Sequence, residues 1–488
     1  MSKKITFLDK TFWITESEAN PKHVAGLQIL EKPANAPVDY VEQLYNELLS
    51  FDYTSSPFDC RVKQFLGFPL KLVPVEQLDM SYHVQFHQIA DIDNKATLHK
   101  FIAGLHETWL DRDKPLWQYH VINAQGSNKF AIYIKVHHMY GDGATLIRWF
   151  QVGYTPEPRS EGFVPVWAAQ RKPRSVKPVN LFKQFFIGCW DFLITVKDLI
   201  WILFRLFVKL LRINPVYMPI PFSGTKTLLT GQVKKGRLVS TLNIDFSRIK
   251  ALSRRLRCSA NELMLCVFDI GVHRFLKDYG HVFKRALYTN MPINLRKPGE
   301  TTAGNKIAIV PVQLAHGETD PYLRLRQIIE NHRIVKRAAT VSHPMAFSYY
   351  TVLIQSFSTL FEMLHISNWV KPIANILVSN MPGPADTLYF KDSKLLANYP
   401  VSTMTPGGGV NITMVSYAGS ANIGLVCCDN NIESLEPMSQ YFLEAFDMLE
   451  ACIDDPSQNI DDIGETVVED ASSIVDEENF TQIDEKQH

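Results

Sequence analysis

Between Pro165 and Pro221 the sequence changes character twice, and no single layered unit can run through the change. A stretch rich in prolines and cations (Pro165, Arg171, Lys172, Pro173, Arg174, Lys177, Pro178) leads into Phe185–Ile213, a run of aromatic and aliphatic residues, and Pro215, Pro219 and Pro221 close it. Proline fixes φ and removes a backbone donor, so regular elements stop on either side. The chain has 488 residues, and at roughly 150 residues per domain each flank can bury its own core. The break predicts a first mixed α/β unit over 1–165, a basic and amphipathic connector over 166–224, a second mixed unit over 225–453 and a tail over 454–488.

The connector is too charged to cross a membrane and too apolar to be an ordinary linker. At about 100° per residue, Asp191, Lys197, Asp198, Arg205, Lys209 and Arg212 fall within about one third of a helix circumference, and the remainder is apolar. From Arg171 to Arg212 the net charge is +7, and Trp190 and Trp201 lie within the run. That combination suits a helix lying in an anionic lipid interface, with burial against protein as the alternative. A second segment, Ala338–Phe361, carries no formal charge over 24 residues. Length alone would allow a span, but Ser342, His343, Pro344, Gln355 and its other polar residues are costly in lipid. Leu353, Phe357, Leu360, Phe361 and Leu364 recur at helical spacing and predict a buried or groove-lining helix.

Charge narrows the function classes. Lys+Arg and Asp+Glu both number 50, which removes a global electrostatic argument for nucleic-acid binding. The balance hides an asymmetry: Asp454–His488 holds twelve acidic residues and one lysine, so the rest carries +11. A tail so acidic and so poor in apolar residues is expected to stay solvated and disordered. Seven cysteines, scattered and never spaced Cys-x-x-Cys, predict a reduced cytosolic chain. Lys3, Lys4, Asp9 and Lys10 interrupt the apolar core that a secretory signal needs.

The chemistry-bearing pattern follows the best strand. Ala131–Val136 is rich in β-branched and aromatic residues and runs directly into His137-His138-Met-Tyr-Gly141-Asp142-Gly143, with a helix expected over Ala144–Phe150. A histidine at a strand end is held by a rigid element yet can face a cleft, and imidazole, with an ordinary pKa of ~6.5, can take a proton from a hydroxyl near neutral pH. Asp142 can fix the loop by an ion pair, and Gly143 permits a tight turn. The other readings are histidines that only satisfy hydrogen bonds, or His138 and Asp142 as metal ligands. No His-Glu-x-x-His element or third strong ligand lies nearby, so no metal is expected. The chain has no Gly-x-Ser-x-Gly elbow and no phosphate-binding glycine loop, against a serine hydrolase or a nucleotide fold.

His137-His138-x-x-x-Asp142-Gly143 resembles the signature of the CoA-dependent acyltransferase superfamily, and companion segments resemble its bacterial wax ester synthase/diacylglycerol acyltransferase branch. These are Pro21–Gly26, Asp113–Trp117 with its Pro-Leu-Trp, Met291–Arg296 with Gly304-Asn305, Ser379–Pro384, Tyr399–Ser402 and Asn411–Gly419, in order over about residues 5 to 453. One departure is Asn261-Glu262 where that family has Asn-Asp; Ser259-Ala-Asn-Glu262 reads as a capping box, which suits a structural role. Gly141 stands where an aliphatic residue is usual and would loosen the loop.

The resemblance implies two chloramphenicol-acetyltransferase-like lobes with the active-site tunnel between them. It implies direct transfer of a fatty acyl group from acyl-CoA, a substrate rather than a cofactor, to a fatty alcohol or diacylglycerol. His138 would be the general base, with His137 and Asp142 as support, Asp142 pairing with Arg296 across the lobes. Asn261, Ser379, Asn380 and Thr405 are candidate donors to the developing oxyanion, and Pro115, Leu116 and Trp117 would shape the substrate channel or simply pack. Arg248, Lys250, Arg254, Arg255 and Arg257 form a basic run that would meet CoA phosphates or be a solvated face. Poorly soluble substrates would be collected by the connector at a membrane or lipid droplet, giving a peripherally attached cytoplasmic enzyme. Two alternatives stay open: a same-fold acyltransferase with a non-lipid or carrier-bound substrate, and a non-catalytic lipid-binding protein.

Overall fold

The computed structural model describes residues 3–5, 7–141, 143–159, 161–169, 181–213, 217–294, 307–429 and 432–452. Before the connector the elements are β1 (Lys3–Lys4), α1 (Phe7–Thr15), β2 (His23–Glu31), α2 (Tyr40–Leu49), β3 (Cys60–Phe65), β4 (Phe68–Pro74), α3 (Met80–His83), β5 (Val84–Ile89), α4 (Lys95–Glu107), β6 (Trp117–Ala124), β7 (Lys129–His137), α5 (Gly143–Phe150) and β8 (Tyr154–Thr155). Among its described residues the connector holds one helix, α6 (Leu181–Leu210). After it come β9 (Arg237–Asp245), α7 (Phe246–Arg255), α8 (Ala260–Asp278), β10 (Tyr288–Asn294), β11 (Ile307–Gln313), α9 (Pro321–Val341), α10 (Pro344–Met363), β12 (Ile376–Met381), β13 (Tyr389–Phe390), β14 (Ser393–Val401), β15 (Val410–Tyr417), β16 (Ser420–Cys428) and α11 (Glu436–Ala451).

The fold is mixed α/β, with one large sheet in each lobe. The first runs β5-β6-β7-β2-β14-β13-β8 and the second β11-β10-β12-β15-β16-β9, while β1, β4 and β3 form a small separate sheet. Strand β7 lies inside the first sheet, so Phe130 to His137 are all buried and read as an unbroken apolar run apart from Lys135 and the terminal histidine. The second stretch of sequence contributes strands to the first sheet. Residues 389–401 lie far along the second stretch of sequence, yet β14 pairs antiparallel with β2, Tyr399 opposite Leu27 and Val401 opposite Ala25. Where β14 meets the second sheet, a Cβ built on Gly424 would fall 1.8 Å from the carbonyl oxygen of Pro400, so only glycine lets the sheets approach this closely.

Local chemistry sets the helix ends. Ser259 and Glu262 form the reciprocal capping box at the start of α8, and Asp320 caps α9 ahead of Pro321. The uncharged segment 338–361 is not one helix. Pro344 disfavours the α conformation at His343, α9 ends at Val341, and α10 begins at Pro344 with Asp198 of α6 accepting its His343 N–H at 2.7 Å. Of the expected face, Leu353, Phe357 and Leu360, with Leu364 just after α10, are exposed, and only Phe361 lines a cavity; the helix packs instead through Phe347, Tyr350 and Ile354, which are buried.

The described part of α6 is amphipathic, and half of its charged stripe, Asp198, Arg205 and Lys209, is turned toward the protein, while Asp191, Lys197 and Arg212 are exposed. Asp198 holds α10, the Arg205 guanidinium lies 4.4 Å from the Tyr217 ring centroid, and Lys209 donates to the carbonyls of Tyr217 and Met218. Ile202 and Leu206 are buried beside them. The outward face carries Phe192, Leu193, Ile200, Trp201, Phe204 and Phe207, each close to half exposed or more.

Gly424→Ala is expected to destabilise the protein by at least ~2 kcal/mol through overpacking, read by denaturant unfolding. An unchanged midpoint would mean that the sheets can part without cost.

Candidate active site

The double histidine sits where β7 leaves the first sheet. His137 completes the strand opposite His23, and His138–Tyr140 turn away as a single 3-10 turn. Leu116 brackets that exit with its backbone: its carbonyl accepts the His137 N–H at 3.0 Å, and its N–H donates to the Tyr140 hydroxyl at 2.8 Å. Leu116 and Trp117 are buried, Trp117 donating its indole N–H to Phe58 O and stacking on His83 and Trp167. Leu116 and Trp117 therefore pack behind the loop and brace it, and Pro115 leads into them on the same segment.

The two histidines are placed differently. His137 is fully buried; its Nδ1 accepts the Met139 N–H at 3.1 Å, which leaves Nε2 to carry the proton, and Nε2 lies 3.3 Å from Glu16 Oε1. His138 is half-buried. Its backbone N–H donates to Lys22 O at 2.9 Å, and its ring stacks on Phe12 with centroids 4.0 Å apart and planes 12° from parallel. Of the pair, only His138 is not fully buried, and it lines neither of the two cavities described below.

Glu16, which the sequence reading did not single out, is the charge centre of the loop's support. Oε2 accepts from Arg112 Nε and Nη2 at 3.1 and 2.9 Å, and Oε1 accepts the Lys22 N–H at 3.0 Å. Burial would raise its pKa, but His137 beside it, with the Lys22 N–H and Trp109, holds the carboxyl down at about 2. Arg112 in turn lies 4.3 Å from the Trp13 ring centroid and 5.1 Å from that of Trp109. No motif flags Glu16; the available signal was a pair of carboxylates, Glu16 and Glu18, shortly before Pro21 and its histidine-containing segment.

Lys22 joins this support to the second lobe. Its side chain is buried, and Nζ donates to Met404 O at 2.9 Å while Thr403 donates to Pro21 O at 2.8 Å. Burial pushes the Lys22 ammonium down to about 8, with the Glu362 carboxylate opposing the shift. Thr405 lies one residue beyond this clamp and donates to Gly408 O at 3.1 Å, so its hydroxyl proton serves the loop. Gly143 does not need a left-handed backbone; its value is close approach, since a Cβ there would lie 2.9 Å from Met381 Sδ of β12. Gly141 is extended, at φ −170° and ψ 160°.

The residues next to Met381 gather the other predicted side chains. Asn261, Ser379 and Asn380 line one cavity of about 40 Å³, with Met264, Phe268 and Met414 as apolar wall, and Asn380 Nδ2 donates to Asn261 Oδ1 at 2.6 Å. A larger cavity of about 230 Å³, between Lys226, Phe361, Lys371 and Gly407, contains none of the predicted residues. The basic run on α7 does not face either cavity's lining: Arg248 is held by Asp447 and Glu450 of α11. Asp142 and Arg296, and with them their expected pairing, lie outside the described residues, as do the tail and the cationic stretch before α6. Among the described residues no group of three or more His, Cys, Asp or Glu side chains is arranged to hold a metal ion.

Known proteins match this chain along most of its length. Residues 5–264 match the wax ester synthase/diacylglycerol acyltransferase catalytic domain, and 303–450 match the C-terminal domain of the same family. The O-acyltransferase WSD of Acinetobacter baylyi is 25% identical over 460 residues, covering 91% of this chain and 96% of that protein. A probable diacylglycerol O-acyltransferase of Mycobacterium tuberculosis is 25% identical over 450 residues, with 91% and 98% covered. In structure, the chain superposes on the wax ester synthase/diacylglycerol acyltransferase of Marinobacter aquaeolei with a TM-score of 0.72 at 23% identity, covering 92% and 99%. The starter condensation domain of rhizomide synthetase shares the fold at 12% identity, TM-score 0.55, covering 94% and 96%.

Glu16 is a depressed carboxylate, so its stabilisation is present above pH about 4.5 and is lost as pH falls toward about 2. Glu16→Gln is expected to cost ~3 kcal/mol at neutral pH by leaving Arg112 without its carboxylate partner, and to flatten that acid limb. Urea unfolding across pH 3 to 7 reads both, and an acid limb identical in the variant would show that Glu16 does not carry it.

Proposed function

Because the chain belongs to the wax ester synthase/diacylglycerol acyltransferase family, we propose that it moves a fatty acyl group from acyl-CoA to the hydroxyl of a long-chain alcohol, a diacylglycerol or both, with His138 as the general base. The observation that carries the assignment is the asymmetry of the pair: His137 is fully buried, with Nδ1 accepting a backbone hydrogen bond and Nε2 facing the Glu16 carboxylate, while His138 is half-buried and held from behind by its backbone.

In this reading His138 takes the acceptor's hydroxyl proton as the oxygen attacks the thioester carbonyl. The tetrahedral intermediate collapses, the carbon–sulfur bond breaks, and the imidazolium returns the proton to the CoA thiolate, so no acyl-enzyme forms. The Asn261–Asn380 amide pair, beside the Met381 that touches Gly143, would supply donors to the oxyanion. His137, through Glu16 and Arg112, keeps the loop rigid rather than reacting.

The acceptor's poor solubility gives the outward face of α6 a purpose. No helix among the described residues is long and apolar enough to cross a membrane, and the exposed Phe192, Trp201 and Phe204 suit a helix seated in the surface of a membrane or lipid droplet. In the proposal the enzyme is cytoplasmic and peripherally bound.

Purified protein given palmitoyl-CoA with hexadecanol or diacylglycerol is expected to release CoA thiol in an acceptor-dependent way, and His138→Ala is expected to lower that rate by about 10²–10⁴-fold at unchanged thermal stability. Full activity in the variant would remove His138 from the chemistry, and absence of release with either acceptor would remove the lipid acceptor. Replacing Phe192, Trp201 and Phe204 by serine is expected to abolish liposome co-sedimentation while leaving turnover of detergent-dispersed substrate intact; unchanged sedimentation would exclude α6 as the anchor.

A further inference from the structure

The small sheet of β1, β4 and β3 presents a surface that the two lobes do not use. Its β3–β4 hairpin turns through Leu66-Gly67, both with positive φ, at 48° and 82°. Such two-residue turns favour Asn, Asp or Gly at the first position, because an L side chain with a bulky Cγ is strained there. Here the position holds a leucine that is 83% exposed, flanked by Phe65 at 66% and Phe68 at 61%. A large apolar side chain, in a disfavoured conformation and facing water, adds nothing to the stability of the fold.

The adjoining register is equally costly. Lys63 pairs directly with Lys71 across the two strands. Like charges directly opposite repel. Lys63 and Lys71 are exposed, and among the described residues neither has an ion-pair partner; Arg61 lies two residues further along the same strand. An apolar tip above an uncompensated row of cations lacks one component, a surface that is apolar within and anionic outside.

We infer that the β3–β4 hairpin is a docking element for an anionic lipid surface, with Phe65, Leu66 and Phe68 inserted among the chains and Lys63 and Lys71 among the headgroups. Its position relates docking to the proposed chemistry. Trp13 of α1 donates its indole N–H to Gly67 O at 3.0 Å, and the preceding residue, Phe12, is the ring stacked on His138. The tip is thus anchored to the helix that covers the proposed base, and an acceptor dissolved in the bound surface is delivered beside it. The docking claim adds lipid-charge selectivity to the peripheral binding proposed for α6, and only the delivery step rests on the acyltransfer reading.

The test uses the full chain with phosphatidylcholine vesicles, with and without about one third phosphatidylglycerol. Neutralising both lysines, K63Q/K71Q, is expected to lower affinity for the anionic vesicles by about 20–30-fold and leave binding to phosphatidylcholine unchanged. The same variant should melt no lower than the parent, because it relieves repulsion. Leu66→Asn should raise the melting temperature, by suiting the turn, yet weaken binding to both vesicle types. Turnover of detergent-dispersed substrate should stay at the parent level in both variants, whereas failure of the acyltransfer reading would remove turnover from the parent and leave the vesicle result standing. Unchanged anionic preference in K63Q/K71Q, or unchanged vesicle binding in Leu66→Asn, would overturn the proposal. So would a raised KM for acyl-CoA with vesicle binding intact, which would make the lysines a site for CoA phosphates.

Discussion

Lys22 has polar groups in three directions, and the site depends on each. Its N–H meets Glu16, its carbonyl receives the His138 N–H, and its buried ammonium reaches Met404 of the other lobe. Burying an ammonium is costly, which is why its pKa is pushed down to about 8. The arrangement tolerates that cost because a single residue fixes the depth of the catalytic loop, the orientation of the carboxylate behind His137 and the distance between the lobes. A neutral side chain of similar length would fill the space and lose the bond to Met404 O.

The lobes are also joined through backbone. Strand β14 completes the first sheet from the second stretch of sequence, and its Pro400 carbonyl rests against Gly424 of the second sheet. The same chain segment then enters the loop that clamps Pro21 and Lys22. The candidate site is therefore built at a junction where both sheets are pinned, and Gly143 lies close against Met381 of the second sheet there. In the proposed mechanism, such rigid placement of groups from separate lobes is what direct transfer between two bound substrates needs.

The apolar surfaces follow a different logic. The core of each lobe is complete without the outward faces of α6 and α10 or the hairpin tip, so those residues remain in water in the isolated chain. An amphipathic helix usually buries its apolar stripe; α6 packs through half of its charged stripe as well as Ile202 and Leu206, because Asp198 and Lys209 find backbone partners on α10 and around Tyr217. Its large apolar face is left outside, where only a lipid or another apolar surface can cover it.

The sequence by itself determined what depends on neighbours a few residues apart. Strand β7 running into the double histidine, the Ser259–Glu262 capping box and the amphipathic period of the connector were all legible, because the interactions that produce them are local. The break at Pro344 was also local, though the surrounding uncharged run reads as one helix. What only the tertiary structure decided are the pairings across long separations: Glu16 with Arg112, Lys22 with Met404, β14 with β2, and the sign of the face that α6 turns outward. Residue type and spacing leave these open, since one carboxylate or one amphipathic stripe has many possible partners until the sheets bring a particular one within hydrogen-bonding distance.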